Sequence, residues 1–160
     1  MWLEHKAVIR RPPSAVFGFM DDADAQARIT PGVRDVTDVR RGENGGLACR
    51  LVYRIVGFEL SETIEATAYE PPRYVEYDVK GPINARLFGR YAPHPEGTAL
   101  DLAAYYELPK WLANPLFEAL VTRFNRWALN TMVTTMKAEL ESGSPGGAHD
   151  APVEARPSAS

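Results

Sequence analysis

The sequence predicts an α+β domain in which an antiparallel sheet of seven strands curves around one long C-terminal helix. The first observation is a two-residue alternation of apolar and polar side chains across residues 33–107, interrupted by short turns rich in Gly and Pro. The second is the segment Pro115–Glu141, which has no Gly and no Pro after its first residue. Strands with one apolar face need a cover, and this helix can provide it.

An N-terminal strand and two short helices are predicted before the alternating region. Residues 2–10 alternate weakly and form the first strand. A short helix then begins near Pro13, and a second covers residues 23–29 with Asp22 as its N-cap. The six following strands are predicted at residues 33–41, 47–56, 58–69, 74–80, 84–92 and 98–107.

Length and composition favour one domain with a disordered tail. The chain has 160 residues, of which 45% are hydrophobic and 24% charged, enough for a single core over residues 1–141. Residues 142–160 consist mainly of Gly, Pro, Ser and Ala, with Val153 as the one sizeable apolar residue. Such a segment cannot offset the entropy cost of ordering it, so it is predicted to be disordered.

Charge and hydropathy argue against several classes of partner. The formal net charge is −3 and Lys and Arg do not cluster, so no nucleic-acid binding is expected. No apolar run approaches the ~20 residues that cross a bilayer, so no stable membrane insertion is expected. The N-terminus lacks the apolar stretch of a signal peptide, which predicts a cytoplasmic protein. The oligomeric state is left open.

Few residues point to catalysis. His5, His94 and His149 fall in a strand, a turn and the tail, so neither a metal site nor a cofactor is predicted. Cys49 occupies an apolar strand position and is better explained as a buried thiol. Glu62 interrupts the apolar face of its strand, which favours either an ion pair with an arginine at the sheet rim or a candidate catalytic acid facing the interior.

The inner faces of the strands and of the long helix supply candidate ligand-binding residues. Several tyrosines share the inward parity of their strands, and their rings can either fill the core or face a ligand. Two threonines lie on the apolar arc of the helix, where their hydroxyls can bond to a helix carbonyl or to a ligand. The predicted ligand-binding set is Leu51, Tyr53, Tyr77, Tyr91, Tyr106, Phe117, Leu120, Phe124, Ala128, Thr131 and Thr135.

The order of elements and several weak motifs resemble a known superfamily. The motifs are IRRPPSAVFGFMDDADAQARITPGV near the start, YEPPR before a strand, PEGTAL before the last strand and LPKWLANPLFEALV at the start of the helix. Over about residues 2–141 the chain resembles the helix-grip fold of the START/Bet v 1-like (SRPBCC) superfamily, and most closely its polyketide cyclase/dehydrase and lipid-transport group. Many relatives have a tryptophan just before the Pro-Gly pair, where this chain has Thr30.

The resemblance implies an apolar cavity between sheet and helix that holds a hydrophobic small molecule, such as a lipid, a quinone, a polyketide or an aromatic metabolite. Fold alone does not decide between the activities of the superfamily. A non-catalytic binder or carrier is favoured. The alternative is a polyketide aromatase/cyclase or dehydratase that uses Glu62 and the tyrosines. A weaker third interpretation is a partner-binding module that presents Trp111 and Leu112.

Overall fold

The computed structural model describes residues 1–143, which contain seven strands and three α-helices. A short 3-10 turn, Lys110–Leu112, precedes the last helix. The elements in chain order are β1 (Trp2–Ile9), α1 (Pro13–Met20), α2 (Ala23–Ile29), β2 (Val33–Arg41), β3 (Leu47–Ile55), β4 (Phe58–Glu70), β5 (Tyr74–Lys80), β6 (Asn84–His94), β7 (Gly97–Glu107) and α3 (Pro115–Glu141).

All seven strands belong to one antiparallel sheet in the order β1-β7-β6-β5-β4-β3-β2. Strands β2 to β7 form a meander in which each strand pairs with the next one in sequence. Strand β1 is not part of the meander. It pairs with β7 at one edge of the sheet, so that Trp2 is opposite Tyr105 and Ile9 is opposite Thr98. The predicted helix-grip fold is therefore confirmed: a seven-stranded antiparallel curved sheet, two short helices after β1 and a long C-terminal helix.

The turn between β6 and β7 ends at a glycine that touches the backbone beyond β1. The backbone of Gly97 has a φ angle of +141°, which residues other than glycine rarely adopt. A Cβ atom at Gly97 would meet the carbonyl oxygen of Ile9 and would lie 2.7 Å from the amide nitrogen of Arg11. The next residue, Thr98, is fully buried and its hydroxyl donates to the Arg11 carbonyl at 2.7 Å. This close approach holds the end of β1 against the start of β7.

The two short helices pack against the sheet. Helix α1 begins with Pro13, which suits the first turn, and it buries Val16, Phe17 and Met20. Helix α2 is capped by Asp22, whose carboxylate accepts from the amide of Ala25 at 3.0 Å. Helix α1 contacts β6 and β7, whereas α2 contacts β2 and α3.

Helix α3 packs its C-terminal half into the core. The helix begins at Pro115 after Asn114, whose side chain accepts from the amide of Leu116 at 2.9 Å. Near the other end, Lys137 donates to the carbonyl oxygen of Val8 at 2.9 Å. The buried residues of α3 are Val121, Asn125, Ala128, Val133, Met136 and Leu140.

The buried face of α3 is rotated from the arc that the sequence pattern predicts. The predicted arc is centred near Phe124 and Thr131, whereas the buried residues centre on the side of Asn125. Leu116 and Trp127 remain 79% and 54% exposed. The first half of α3 therefore has more apolar residues than the sheet covers. As a result, the arc predicted from apolar content shares Val121 and Ala128 with the buried face but is centred away from it.

The C-terminal tail and the absence of a membrane-spanning helix were also predicted from the sequence. The predicted tail, residues 142–160, lies outside the described residues except for Ser142 and Gly143. In the portion of the chain that the structure describes, no helix combines the length and the apolar character needed to cross a membrane.

Candidate functional site

A partly open cavity of about 200 Å³ lies between the inner face of the sheet and the middle of α3. Strands β3 to β7 supply most of its wall, α2 closes one side, and α3 closes another. Most of the lining is apolar. Representative apolar residues of the lining are Leu47, Ile55, Leu60, Val79, Leu129 and Met132.

Six of the predicted site residues line this cavity. Strand alternation points odd-numbered residues of β3 and even-numbered residues of the first part of β4 to the same side of the sheet. The six are Leu51, Tyr53, Glu62, Tyr77, Tyr106 and Ala128.

The other six predicted residues lie outside the cavity lining. Tyr91 is in the hydrophobic core, where its ring packs edge-on against Phe17 with the centroids 5.0 Å apart. Phe124 lies on the flank of α3, and its ring centroid is 6.2 Å from that of Tyr53 and 5.6 Å from that of Trp127. The remaining four residues are on α3 but are not part of the lining: Phe117, Leu120, Thr131 and Thr135.

The cavity also contains residues that sequence reasoning missed. Asn125 lies on α3 four residues after Val121 and three residues before Ala128, so the three residues share one face of the helix. This spacing in the sequence could have indicated that Asn125 faces the interior. Helix α2 contributes Gln26, and Thr30 lies directly after the end of that helix; the sequence contains no comparable signal for either residue. The Gln26 amide donates to the Met20 carbonyl, and the Thr30 hydroxyl donates to the Gln26 carbonyl at 2.6 Å, so these polar groups are already paired.

Glu62 is a half-buried carboxyl group in the cavity wall. It lies directly opposite Leu51 in the β3–β4 pair, and a Cβ atom at Gly81 would be only 2.9 Å from its Cγ. Among residues 1–143 it has no hydrogen-bond or ion-pair partner. The two arginines of β3 that alternate to the opposite face pair elsewhere: Arg50 with Asp38 at 4.0 Å, and Arg54 with Glu59 at 3.4 Å.

Burial controls the protonation of the ionisable groups in the cavity. Removal from water raises the pKa of Glu62 to about 7, so this group is partly protonated at neutral pH. Burial, and then the charge of Glu62, raise the pKa of Tyr106 to about 12. Burial and the neighbouring Tyr106 and Glu62 also raise the pKa of Tyr53. Both phenols are therefore neutral hydrogen-bond donors at physiological pH.

The raised pKa of Glu62 predicts a pH-dependent stability. The folded protein holds a proton on Glu62 up to about pH 7, whereas the unfolded chain releases it near the ordinary pKa of 4.5. The folded state therefore binds more protons between these values, and its stability must fall as the pH rises from about 4.5 to about 7. We expect the free energy of unfolding to decrease by about 1–3 kcal/mol across this range, measured by urea denaturation.

The variant Glu62→Gln isolates this contribution. It retains the shape of the side chain but cannot ionise, so it should lose this part of the pH dependence and be more stable than the wild type under mildly alkaline conditions. Glu65→Gln is the matched control, because Glu65 is an exposed residue on the same strand. Equal pH dependence in the wild type and in Glu62→Gln would contradict the prediction.

Neither a metal nor a reactive thiol is supported by the geometry. Across residues 1–143, no group of three or more His, Cys, Asp or Glu side chains is arranged to hold a metal ion. Cys49 lines the cavity and is buried, and burial raises the pKa of its thiol. The ionisable chemistry of the cavity therefore rests on Glu62 and the tyrosines.

Solved structures of other proteins share this architecture. The protein TTHA0849 from Thermus thermophilus has 17% sequence identity and a TM-score of 0.75, and the match covers 91% of this chain and 100% of that chain. The Zhui aromatase/cyclase from a Streptomyces species has 19% identity and a TM-score of 0.70, with 92% and 98% covered. A START superfamily protein from Mycobacterium smegmatis has 13% identity and a TM-score of 0.70, with 88% and 97% covered. At these identities the likeness shows the fold.

The family follows from the sequence itself. A comparison with curated proteins gave no match. The family model described as "Polyketide cyclase / dehydrase and lipid transport" matches residues 3–147, which is most of the chain. Together with the helix-grip fold and the cavity, this match supports a domain that binds hydrophobic ligands. The chain belongs to the polyketide cyclase/dehydrase and lipid transport family, within the START/Bet v 1-like (SRPBCC) superfamily.

Proposed function

We propose that this protein binds a hydrophobic small molecule between the sheet and α3 and carries it without chemical change. The observation that carries the proposal is the mostly apolar cavity of about 200 Å³. An apolar cavity of ~150 Å³ is large enough for benzene, so this one suits a ligand, or part of a ligand, with one or two rings. The candidate ligands are lipids, quinones, polyketides and aromatic metabolites.

Native mass spectrometry of the full chain tests this proposal. We expect a fraction of the purified protein to carry an added mass that is lost on denaturation and that appears as an apolar compound after solvent extraction. Protein from which this compound has been removed should bind naphthalene, measured by ¹H–¹⁵N NMR titration, with shifts at cavity residues such as Leu51 and Ala128. A protein with no retained compound and no naphthalene binding would contradict the proposal.

A second candidate function, a polyketide aromatase/cyclase or dehydratase, is favoured by Glu62. A carboxyl group with a pKa of about 7 inside a mostly apolar cavity is suited to proton transfer at neutral pH. In a dehydration, a base removes the proton on the carbon next to a carbonyl, an acid protonates the departing hydroxyl group, and water leaves as the new carbon–carbon double bond forms. Glu62 could supply one of these two roles, with Tyr53 or Tyr106 as a neutral donor.

The variant Glu62→Gln distinguishes the two functions. In an enzyme it should abolish turnover of a polyketide-like substrate while the protein stays folded, because the amide cannot exchange a proton. In a carrier it should change ligand affinity only modestly. Turnover retained by Glu62→Gln would exclude Glu62 as the catalytic acid or base.

A further inference from the structure

Polar side chains from four different elements enter the mostly apolar cavity, in addition to Tyr77 and the already paired Gln26 and Thr30. Glu62 comes from β4, Tyr53 from β3, Tyr106 from β7 and Asn125 from α3. Glu62 is opposite Leu51, and Tyr53 is opposite Leu60, two residues along the same strand pair. Tyr53 is therefore a diagonal neighbour of Glu62, about 7–8 Å away between backbones and within reach of two long side chains.

Asn125 is the most informative of these residues. It is only 6% exposed, it lines the cavity, and no residue among 1–143 makes a hydrogen bond with its side-chain amide. Its amide atoms are not fully enclosed, because Asp101 Oδ1 is the one fully enclosed side-chain oxygen or nitrogen without a partner among residues 1–143. The amide therefore faces cavity space that water or a ligand can enter. The hydroxyl groups of Tyr53 and Tyr106 and the carboxyl of Glu62 also have no partner within the described chain.

The charges of the cavity restrict what these groups can bind. Within the part of the chain that the structure describes, no Lys, Arg or His contributes to the lining, and Glu62 is its one acidic residue. A carboxylate or phosphate ligand would find no cation there and would be repelled by ionised Glu62. The other groups, an amide and two phenols, are uncharged and suit a neutral oxygen that accepts or donates hydrogen bonds.

We infer that Glu62, Asn125, Tyr53 and Tyr106 form a polar recognition end of the cavity that selects an uncharged, largely apolar ligand by at least one hydrogen-bonding carbonyl or hydroxyl oxygen. This inference rests on the proposed function, since it specifies the class of molecule that occupies the cavity. Asn125 offers both a donor and an acceptor, and protonated Glu62 offers a further donor. The apolar part of the ligand then lies against residues such as Leu60 and Met132.

Four small probes with the same ring system test the selection. Naphthalene has no polar group, 2-acetonaphthone adds a neutral carbonyl, 2-naphthoate adds a carboxylate, and 2-naphthylmethylamine adds a cation. We expect 2-acetonaphthone to bind the full-length protein about tenfold more tightly than naphthalene and also more tightly than both charged probes, measured by NMR titration at about pH 6, where Glu62 is mostly protonated. Tightest binding of 2-naphthoate or of 2-naphthylmethylamine would overturn the inference.

The variant Asn125→Leu assigns the preference to the amide. It should reduce the ratio of the 2-acetonaphthone and naphthalene affinities to about one. Asn130→Leu is the matched control, because Asn130 is an exposed residue of the same helix, and it should preserve the tenfold ratio. A preference retained by Asn125→Leu would overturn the role of Asn125.

The same titrations separate the inference from the function on which it rests. If naphthalene fails to bind the wild type and purified protein carries no apolar compound, the cavity is not a binding site and the proposed function fails. If naphthalene binds but 2-acetonaphthone binds no more tightly, the cavity binds apolar molecules while the polar groups serve only bound water. That outcome overturns the inference alone.

Discussion

Replacing Ala128 by phenylalanine is expected to abolish most ligand binding while the fold survives. Ala128 is 5% exposed and lies on the α3 wall of the cavity, so an added ring can enter space that a ligand would use. Overpacking a filled core costs ~1–3 kcal/mol, and the stability loss here should be at or below the lower end of that range. The affinity for naphthalene should fall by about tenfold or more, measured by NMR titration.

The variant Ala119→Phe is the matched control for this experiment. Ala119 is exposed on the same helix, so the identical substitution there adds a ring outside the cavity. It should leave naphthalene affinity within about twofold of the wild type. If Ala128→Phe leaves the affinity unchanged, the ligand does not bind in the space beside Ala128. If the variant unfolds, that space is too small to accept the added ring.

Replacing Gly97 by alanine is expected to cause the largest loss of stability among the substitutions considered. The new Cβ would contact the backbone of Ile9 and Arg11, which cannot move without disturbing the β1–β7 pair, and φ +141 is itself unfavourable for alanine. We expect the free energy of unfolding to fall by about 3 kcal/mol, measured by urea denaturation.

A glycine in a different setting provides the control. Gly18 lies within α1, and apart from its chain neighbours and the adjacent backbone of the helix no atom lies within 4 Å of the position that its Cβ would take. Gly18→Ala should therefore raise the stability by up to about 1 kcal/mol, because alanine favours the helix. A Gly97→Ala protein as stable as the wild type would show that the turn can adopt another path.

Much of the fold is readable in the sequence because local signals agree with it. An alternation of period two fixes which strand residues share a face, and Gly and Pro mark the turns between strands. The parity that points Tyr53 and Tyr77 inward is the parity that the structure has. The same parity brings Glu62 to the cavity wall although its charge suggests a different environment.

The rotation of α3 could not be read from its apolar residues. The first half of the helix has more apolar side chains than the sheet covers, and Trp127 and Leu116 remain exposed. The polar Asn125 lies instead on the buried side, where the cavity is. A pattern search that treats polar residues as outward-facing selects the wrong arc. The contribution of α2 depends on how a short helix docks against the sheet, which no local pattern specifies.

The pairing of the first strand with the last one has a consequence for how the chain reaches its native state. Strands β2 to β7 can form in succession from neighbouring hairpins, each joined by a short connection. Strand β1 must wait for a partner that lies far later in the chain, as Trp2 is opposite Tyr105. Contacts at such separation slow folding, and during synthesis they cannot form until most of the chain has left the ribosome. Helix α3 follows all the strands in the chain, so the inner face of the meander, which α3 covers in the finished protein, stays exposed in the nascent chain until α3 has been made.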